Sequence, residues 1–328
     1  MTSLIRPRRI PIAQRAVSPS SLQIMHDLDA ILHAPDQRTK MSYRSLRSML
    51  NKVPRPERGV EWTERVVKLY CCKLMRAQRC NALRNRLGAI RLREGQTDHH
   101  TAFCDELTQI TAPYILTLHG YTLPFRNRDQ TEVVTELSAV RALLSAQKIE
   151  YFINSGTLLG AVREGTFLGH DDDADLAVVV SGDTEQERVR SFIEIGHQLK
   201  QAQELRKPIE YSKATPVMKI ELKSGVKVDL FPLWIEDDRV FVWPHTFGEL
   251  TTDDVFPLSM QRLNEVSFPA PKDPPKMLQI NYGEGWNSPD AHFQFPWSQA
   301  KQKFKSTLDC YHEQRPKKFP DWVPFLGG

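Results

Sequence analysis

The stretch Ile153–Val180 reads INSGTLLGAVREGTFLGHDDDADLAVVV and sets four carboxylates, Asp171, Asp172, Asp173 and Asp175, within five positions just ahead of an apolar run. Carboxylates this close repel one another unless cations or solvent screen them. The run LAVVV has the composition of a buried strand, so a solvated turn is a poor account of the cluster. If the chain is already extended there, strand alternation puts Asp171, Asp173 and Asp175 on one face, with Ala174 and Leu176 on the other. The spacing lacks the EF-hand pattern, which argues against a calcium loop. Hard divalent cations such as Mg²⁺ or Mn²⁺ take oxygen ligands, binding through one or two carboxylates together with substrate phosphates.

A further acid, Asp229, stands in VKVDLFPLW, an apolar run where an unpaired charge is costly. It is expected to complete the metal site from a neighbouring strand; the alternative is a general base toward an acceptor hydroxyl. Upstream, Ser155, Gly156 and Thr157 lie at a strand-to-helix junction, where backbone N–H groups and a hydroxyl can meet a phosphate. Arg163, further along the same helix, can add a charge-assisted bond to it. Two weaker candidates are His170, which reads as a substrate contact or a hydrogen-bonded neighbour of the acids, and Lys219 in VMKIEL, which reads as a phosphate contact or a surface lysine. Metal ligands Asp171, Asp173, Asp175 and Asp229, with a glycine-hydroxyl turn one element earlier, describe phosphoryl-transfer chemistry.

Outward from this block, Asp129 and Glu132 form a capping-box pattern ahead of a helix over Thr131–Lys148, and EYFINSG gives a short strand. Asp183 is the expected cap of a helix running to about Leu205, and PVMKIELKSGVKVDLFPLWIE reads as a hairpin turning at Ser224–Gly225. Pro274, Pro275 and Pro289 restrict the C-terminal third to short elements, one of them a helix near Lys276–Tyr282. The front of the chain reads as helices over Ser21–Leu32, Tyr43–Leu50 and a long basic amphipathic helix over Val60–Arg93. These boundaries give a helical, basic region over residues 1–128 and a catalytic domain over 129–328.

Charge is divided along the chain: residues 1–129 hold 22 Lys and Arg against 11 Asp and Glu, so the remainder is net acidic although the whole is +4. A basic face attracts phosphate or anionic lipid, so the long helix is a candidate for peripheral contact with an anionic membrane; a solvated face packed on the domain is the alternative. Aromatic residues are not interleaved with its arginines, which makes nucleic acid an unlikely partner. No run approaches the roughly 18 apolar residues of a membrane span. The opening MTSLIRPRRIPIAQR lacks the apolar stretch of a secretory signal, and Pro7 and Pro11 weaken a transit helix, so it reads as a basic arm. Five cysteines with neither CxxC spacing nor an even count fit reduced thiols, and the expected setting is cytoplasmic.

The block GTLLGAVREGTFLGHDDDADLAV resembles the signature of LicD-type proteins, a family that includes the fukutin-related ribitol-phosphate transferases. VDLFPLW, DDVFPL and PPKMLQINYGEGW resemble its later blocks in order and spacing, so the match runs from about Ile149 to Trp286. The resemblance implies an α+β, nucleotidyltransferase-like mixed β-sheet flanked by helices. It implies transfer of a phospho-alcohol such as phosphocholine or ribitol phosphate from a CDP-activated donor to a hydroxyl of a glycan or glycolipid acceptor, in capsule or lipopolysaccharide assembly at the inner face of a membrane. Mg²⁺ or Mn²⁺ would be held at Asp171, Asp173, Asp175 and Asp229, with Gly156 and Thr157 at the donor phosphates. His170 departs from the pattern, standing where an aromatic, commonly Trp, precedes the acids. Two other readings stand beside this one: NMP transfer from an NTP, separated by donor preference, and a non-catalytic relative that binds a glycan or a partner.

Overall fold

The computed structural model describes residues 16–117, 120–202, 209–290, 293 and 295–315. The basic N-terminal arm and the expected helix end at Leu205 lie outside them. The chain divides into two units, residues 1–123 and 124–328. Among the described residues, no helix is long and apolar enough to cross a membrane.

The first unit is built from α1 (Pro19–His33), α2 (Pro35–Lys40), α3 (Tyr43–Leu50), α4 (Val60–Cys72), α5 (Ala77–Arg93) and α6 (Thr97–Thr111). A hairpin of β1 (Ile115–Thr117) and β2 (Gly120–Thr122) completes it. The single helix expected over Val60–Arg93 is two. Leu74 and Arg76 adopt left-handed backbone, at φ 47° and 50°, and break the helix without glycine or proline. The break folds α4 and α5 against each other over an apolar core that includes Val67, Leu69, Leu87 and Ile90. The basic face is also less free than its charge suggests. Arg91 is buried and its guanidinium reaches the buried Glu64 at 2.7 Å, while Arg84 donates to the carbonyl of Leu116 at 3.4 Å.

In the second unit, α7 (Gln130–Ala146) buries Val133, Val134, Leu137, Val140, Leu143 and Leu144, the face its 3.6-residue period marks out. Asp129 caps it by accepting from the N–H groups of Thr131 and Glu132. Then follow β3 (Tyr151–Ile153), α8 (Ser155–Arg163), β4 (Asp173–Val179), α9 (Glu185–Gln201), β5 (Glu210–Tyr211), β6 (Met218–Glu221) and the long β7 (Lys227–Glu236). The cap of α9 is Thr184 in a reciprocal box with Glu187, one residue beyond the expected Asp183. β8 (Arg239–Val242), β9 (Thr246–Thr251), α10 (Thr252–Val255), β10 (Ser259–Leu263), β11 (Val266–Ala270), α11 (Pro274–Tyr282), α12 (Trp297–Lys303) and α13 (Lys305–Gln314) complete the unit.

The main sheet runs β3-β4-β7-β6-β5, with β8 on the far part of β7 and β9 on β8. β4 and β7 are parallel, and the other pairs are antiparallel. The fold is therefore α+β around a mixed sheet. β4 and β7 are its central strands, and Val178 of β4 with Val228, Phe231 and Trp234 of β7 are buried. The hairpin expected at Ser224–Gly225 joins β6 to β7, with Gly225 at φ 81°.

Candidate active site

The parallel register of the two central strands places Asp175 directly beside Asp229, and the antiparallel pair β6–β7 places Lys219 directly beside Asp229. One row across the sheet therefore reads Asp175, Asp229, Lys219. Asp175 and Asp229 are both buried. Two acids could not persist there without compensation, and part of it is visible: the Lys219 ammonium is ion-paired with Asp229. Lys219, one of the two weaker phosphate candidates, thus meets a carboxylate.

Asp175 also anchors the turn that precedes α8. Its Oδ2 accepts from the N–H of Gly156 at 3.0 Å, its own N–H donates to Thr157 Oγ1 at 2.8 Å, and its carbonyl accepts from Asn154 N–H at 2.9 Å. Three bonds, to Asn154, Gly156 and Thr157, fix the start of α8 onto the strand. Thr157, expected at a donor phosphate, uses its oxygen to hold this joint. Ser155 enters α8 with left-handed backbone at φ 45°, a conformation that costs a non-glycine residue roughly 1 kcal/mol or more. The side chains of Asn154 and Ser155 are buried, and Asn154 Oδ1, Asn154 Nδ2 and Ser155 Oγ have no partner among the described residues. Buried polar atoms are usually satisfied, so three unmet ones at a helix N-terminus mark where a polar ligand would bond.

The acidic run bends over this turn. Asp171, Asp172 and Asp173 can each bring an oxygen within 4.8 Å of the others. Strand alternation therefore under-counts the cluster. β4 starts only at Asp173, and the bend ahead of it brings in Asp172, which the period-two argument had set aside. The Asp171 carboxylate accepts from Asp172 N–H at 3.0 Å, and its Oδ2 lies so near Gly156 that a Cβ there would stand 2.5 Å away. Gly156 is thus required by the carboxylates themselves. Burial, and then the charges of the neighbouring aspartates, push both Asp171 and Asp175 well above the usual carboxylate range. An all-oxygen, charge-dense donor set of this kind fits a hard divalent cation.

Basic and aromatic groups border the acids. Arg163, at the end of α8, bonds Glu164 at 2.8 Å and reaches the carbonyl of Trp286 at 3.5 Å. Partial burial, with the charge of Arg163 next, lowers the pKa of His170. Two further residues were not reached by sequence reasoning. Arg128 donates to Ser224 O at 2.9 Å and lies in the field of Asp172. Tyr282, at the end of α11, has its phenol pushed well up by burial and then by the charges of Asp175 and Asp171, and α11 packs against α8. It sits inside the quoted INYGEGW block, but nothing in that block shows which residue turns toward the acids.

Residues 148–273 match the family model described as LicD/FKTN/FKRP, nucleotidyltransferase domain. Among solved structures, the crystal structure of ANT(2″)-Ia in complex with adenylyl-2″-tobramycin is similar at 13% identity over 54% of this chain and 89% of that chain, with a TM-score of 0.32. No curated protein matches the chain. The matched segment, residues 148–273, holds β3, α8, β4, the acids and Asp229, and its match supports the LicD-type family.

Proposed function

We propose that the protein transfers a phospho-alcohol from a CDP-activated donor to a hydroxyl of a glycan or glycolipid, using Mg²⁺ or Mn²⁺. The observation that carries this reading is the joint at Asp175, where the acids are bonded to a turn that holds the unpartnered side chains of Asn154 and Ser155. The LicD-type match supports a transferase role on glycans. Asp171, Asp173, Asp175 and Asp229 would hold the cation, with Asp172 close enough to share it. When bound, the cation neutralises charge on the donor phosphates.

The residues of the chain do the rest. Ser155 Oγ and the Asn154 carboxamide would bind and orient the diphosphate, with Arg163 adding positive charge at the far end of the helix. The acceptor oxygen then bonds to the phosphorus that carries the alcohol, the bond from that phosphorus to the bridging oxygen breaks, and CMP leaves. Asp229, ion-paired with Lys219, would take the acceptor proton as the alternative to holding the cation. Such a reaction draws on positioning and charge neutralisation more than on covalent chemistry. We place it in the cytoplasm at the inner face of a membrane; the five free cysteines support a reducing setting.

The test is thermal stability with Mn²⁺ across CMP, CDP-choline, CDP-ribitol, CDP-glycerol, ATP, GTP and UTP. A ligand at 100 times its Kd adds roughly 2.7 kcal/mol. Stabilisation by cytidine ligands alone supports the reading and ranks the donors. Stabilisation by an NTP without any cytidine diphosphate effect replaces it with nucleotidyl transfer.

A further inference from the structure

Next to α8, the second unit gathers aromatic rings that the proposed phosphate chemistry does not use, of which Tyr282 also packs against the core. Tyr282 packs 5.7 Å from His245 and 5.4 Å from Phe293; His245 meets Phe295 at 4.4 Å, and Phe295 meets Trp297 edge-on at 4.8 Å. Phe293 is 43% exposed and Trp297 is 45% exposed. Scattered single exposed apolar residues are ordinary, but linked aromatic rings with open faces mark a contact surface. The wall is tied to the site at two points. Asp175 and Asp171 act on Tyr282, and α11, which carries Tyr282, packs against α8.

Polar atoms within the wall narrow the choice of ligand. Asn281 is buried; its Oδ1 accepts from Thr246 at 2.9 Å, and its Nδ2 has no partner among the described residues. The buried Nδ1 of His245 also has none. Burial drives the His245 pKa down to about 4, so the ring is neutral at ordinary pH. A neutral imidazole, a carboxamide N–H and a phenol hydroxyl beside open ring faces suit a ligand with an apolar C–H face and hydroxyls around its edge. None of them brings a positive charge to a second anion.

We infer that the wall formed by His245, Asn281, Tyr282, Phe293, Phe295 and Trp297 is the acceptor subsite, stacking the C–H face of a pyranose sugar and bonding its hydroxyls next to the acid cluster. The inference rests on the transferase reading above and adds where the acceptor lies. The donor diphosphate belongs at the unsatisfied turn on the opposite end of α8 from Arg163, which leaves the wall to the second substrate.

The full chain, with Mn²⁺ present, is titrated with the methyl glycosides of glucose, galactose, N-acetylglucosamine and N-acetylgalactosamine while tryptophan fluorescence is followed. CMP is titrated in parallel by calorimetry. At least one glycoside is expected to bind at millimolar concentration and to weaken about fivefold or more in Trp297→Ala, with CMP affinity unchanged. Trp297→Phe keeps a stacking face; its glycoside affinity, read by calorimetry, should stay near that of the parent. Trp297 is half exposed, so neither variant threatens the fold. If CMP affinity falls in Trp297→Ala, the wall holds the base of the donor and the inference is overturned. It is equally overturned if no glycoside binds while CMP and Mn²⁺ do. Absence of CMP and Mn²⁺ binding would instead remove the transferase reading itself.

Discussion

Gly156→Ala separates the metal site from the stability of the fold. No backbone strain is at stake, because Gly156 lies outside the left-handed region. The added methyl would stand 2.5 Å from Asp171 Oδ2 and 3.4 Å from Asp175 Oδ2. The second distance is tolerable; the first forces the Asp171 carboxylate to rotate away. That movement breaks its 3.0 Å bond from Asp172 N–H, a charge-assisted bond worth roughly 1.5–3 kcal/mol. It also relieves repulsion among the acids, which offsets part of the loss when no cation is bound. Without cation, stability should therefore fall by only about 1 kcal/mol, or roughly 2–4 °C in Tm. Cation affinity should suffer far more, because a displaced ligand typically costs about 10–100-fold. At a Mn²⁺ concentration 100 times the parent Kd, the metal stabilises the parent by roughly 2.7 kcal/mol and a tenfold weaker variant by about 1.4 kcal/mol. Differential scanning fluorimetry with and without Mn²⁺ reads both quantities. A variant that loses several degrees without metal yet keeps the full Mn²⁺ increment would refute the claim that Gly156 exists to admit the Asp171 carboxylate.

Three other perturbations test separate parts of the structure. Asp175→Asn keeps an acceptor for Gly156 N–H, so the turn should hold while Mn²⁺ binding and turnover are lost; near-normal turnover would take Asp175 out of the metal site. His245 has a folded pKa lowered to about 4 by burial, below its ordinary 6.5, so the unfolded chain binds the extra proton first. Stability should fall as pH drops from 6.5 toward 4, by at most about 3 kcal/mol, and His245→Phe should flatten that slope in urea midpoints; an unchanged slope would mean the ring is solvated. Arg91→Ala leaves Glu64 buried without its 2.7 Å partner and should destabilise the first unit by about 3 kcal/mol in urea unfolding, whereas a loss under 1 kcal/mol would place the pair at the surface.

What the sequence shows and hides at this site follows from the range of the forces involved. β4 and α8 were legible because a run such as LAVVV or a turn such as SGT is decided by neighbours one to four positions away. The hairpin after β6 was legible for the same reason, through Ser224–Gly225. The break between α4 and α5 was not, because Leu74 and Arg76 have no intrinsic preference for left-handed backbone. What holds them there is the fit of two helices over Val67 and Leu87, a sum of distant contacts that no local pattern encodes. The acids divide along the same line. That Asp171, Asp173, Asp175 and Asp229 carry the charge could be read from an acidic run and a lone acid in an apolar strand. Their arrangement could not: the parallel register decides that Asp229 stands beside Asp175, and Lys219 reaches it through a second pairing. Thr157 shows the consequence. A hydroxyl beside a glycine turn suggests a phosphate contact; its oxygen also accepts the strand's N–H, and the unmet side-chain atoms stand at Asn154 and Ser155. A motif names the residues at a site, while the division of work among them is set by which backbone group reaches each side chain first.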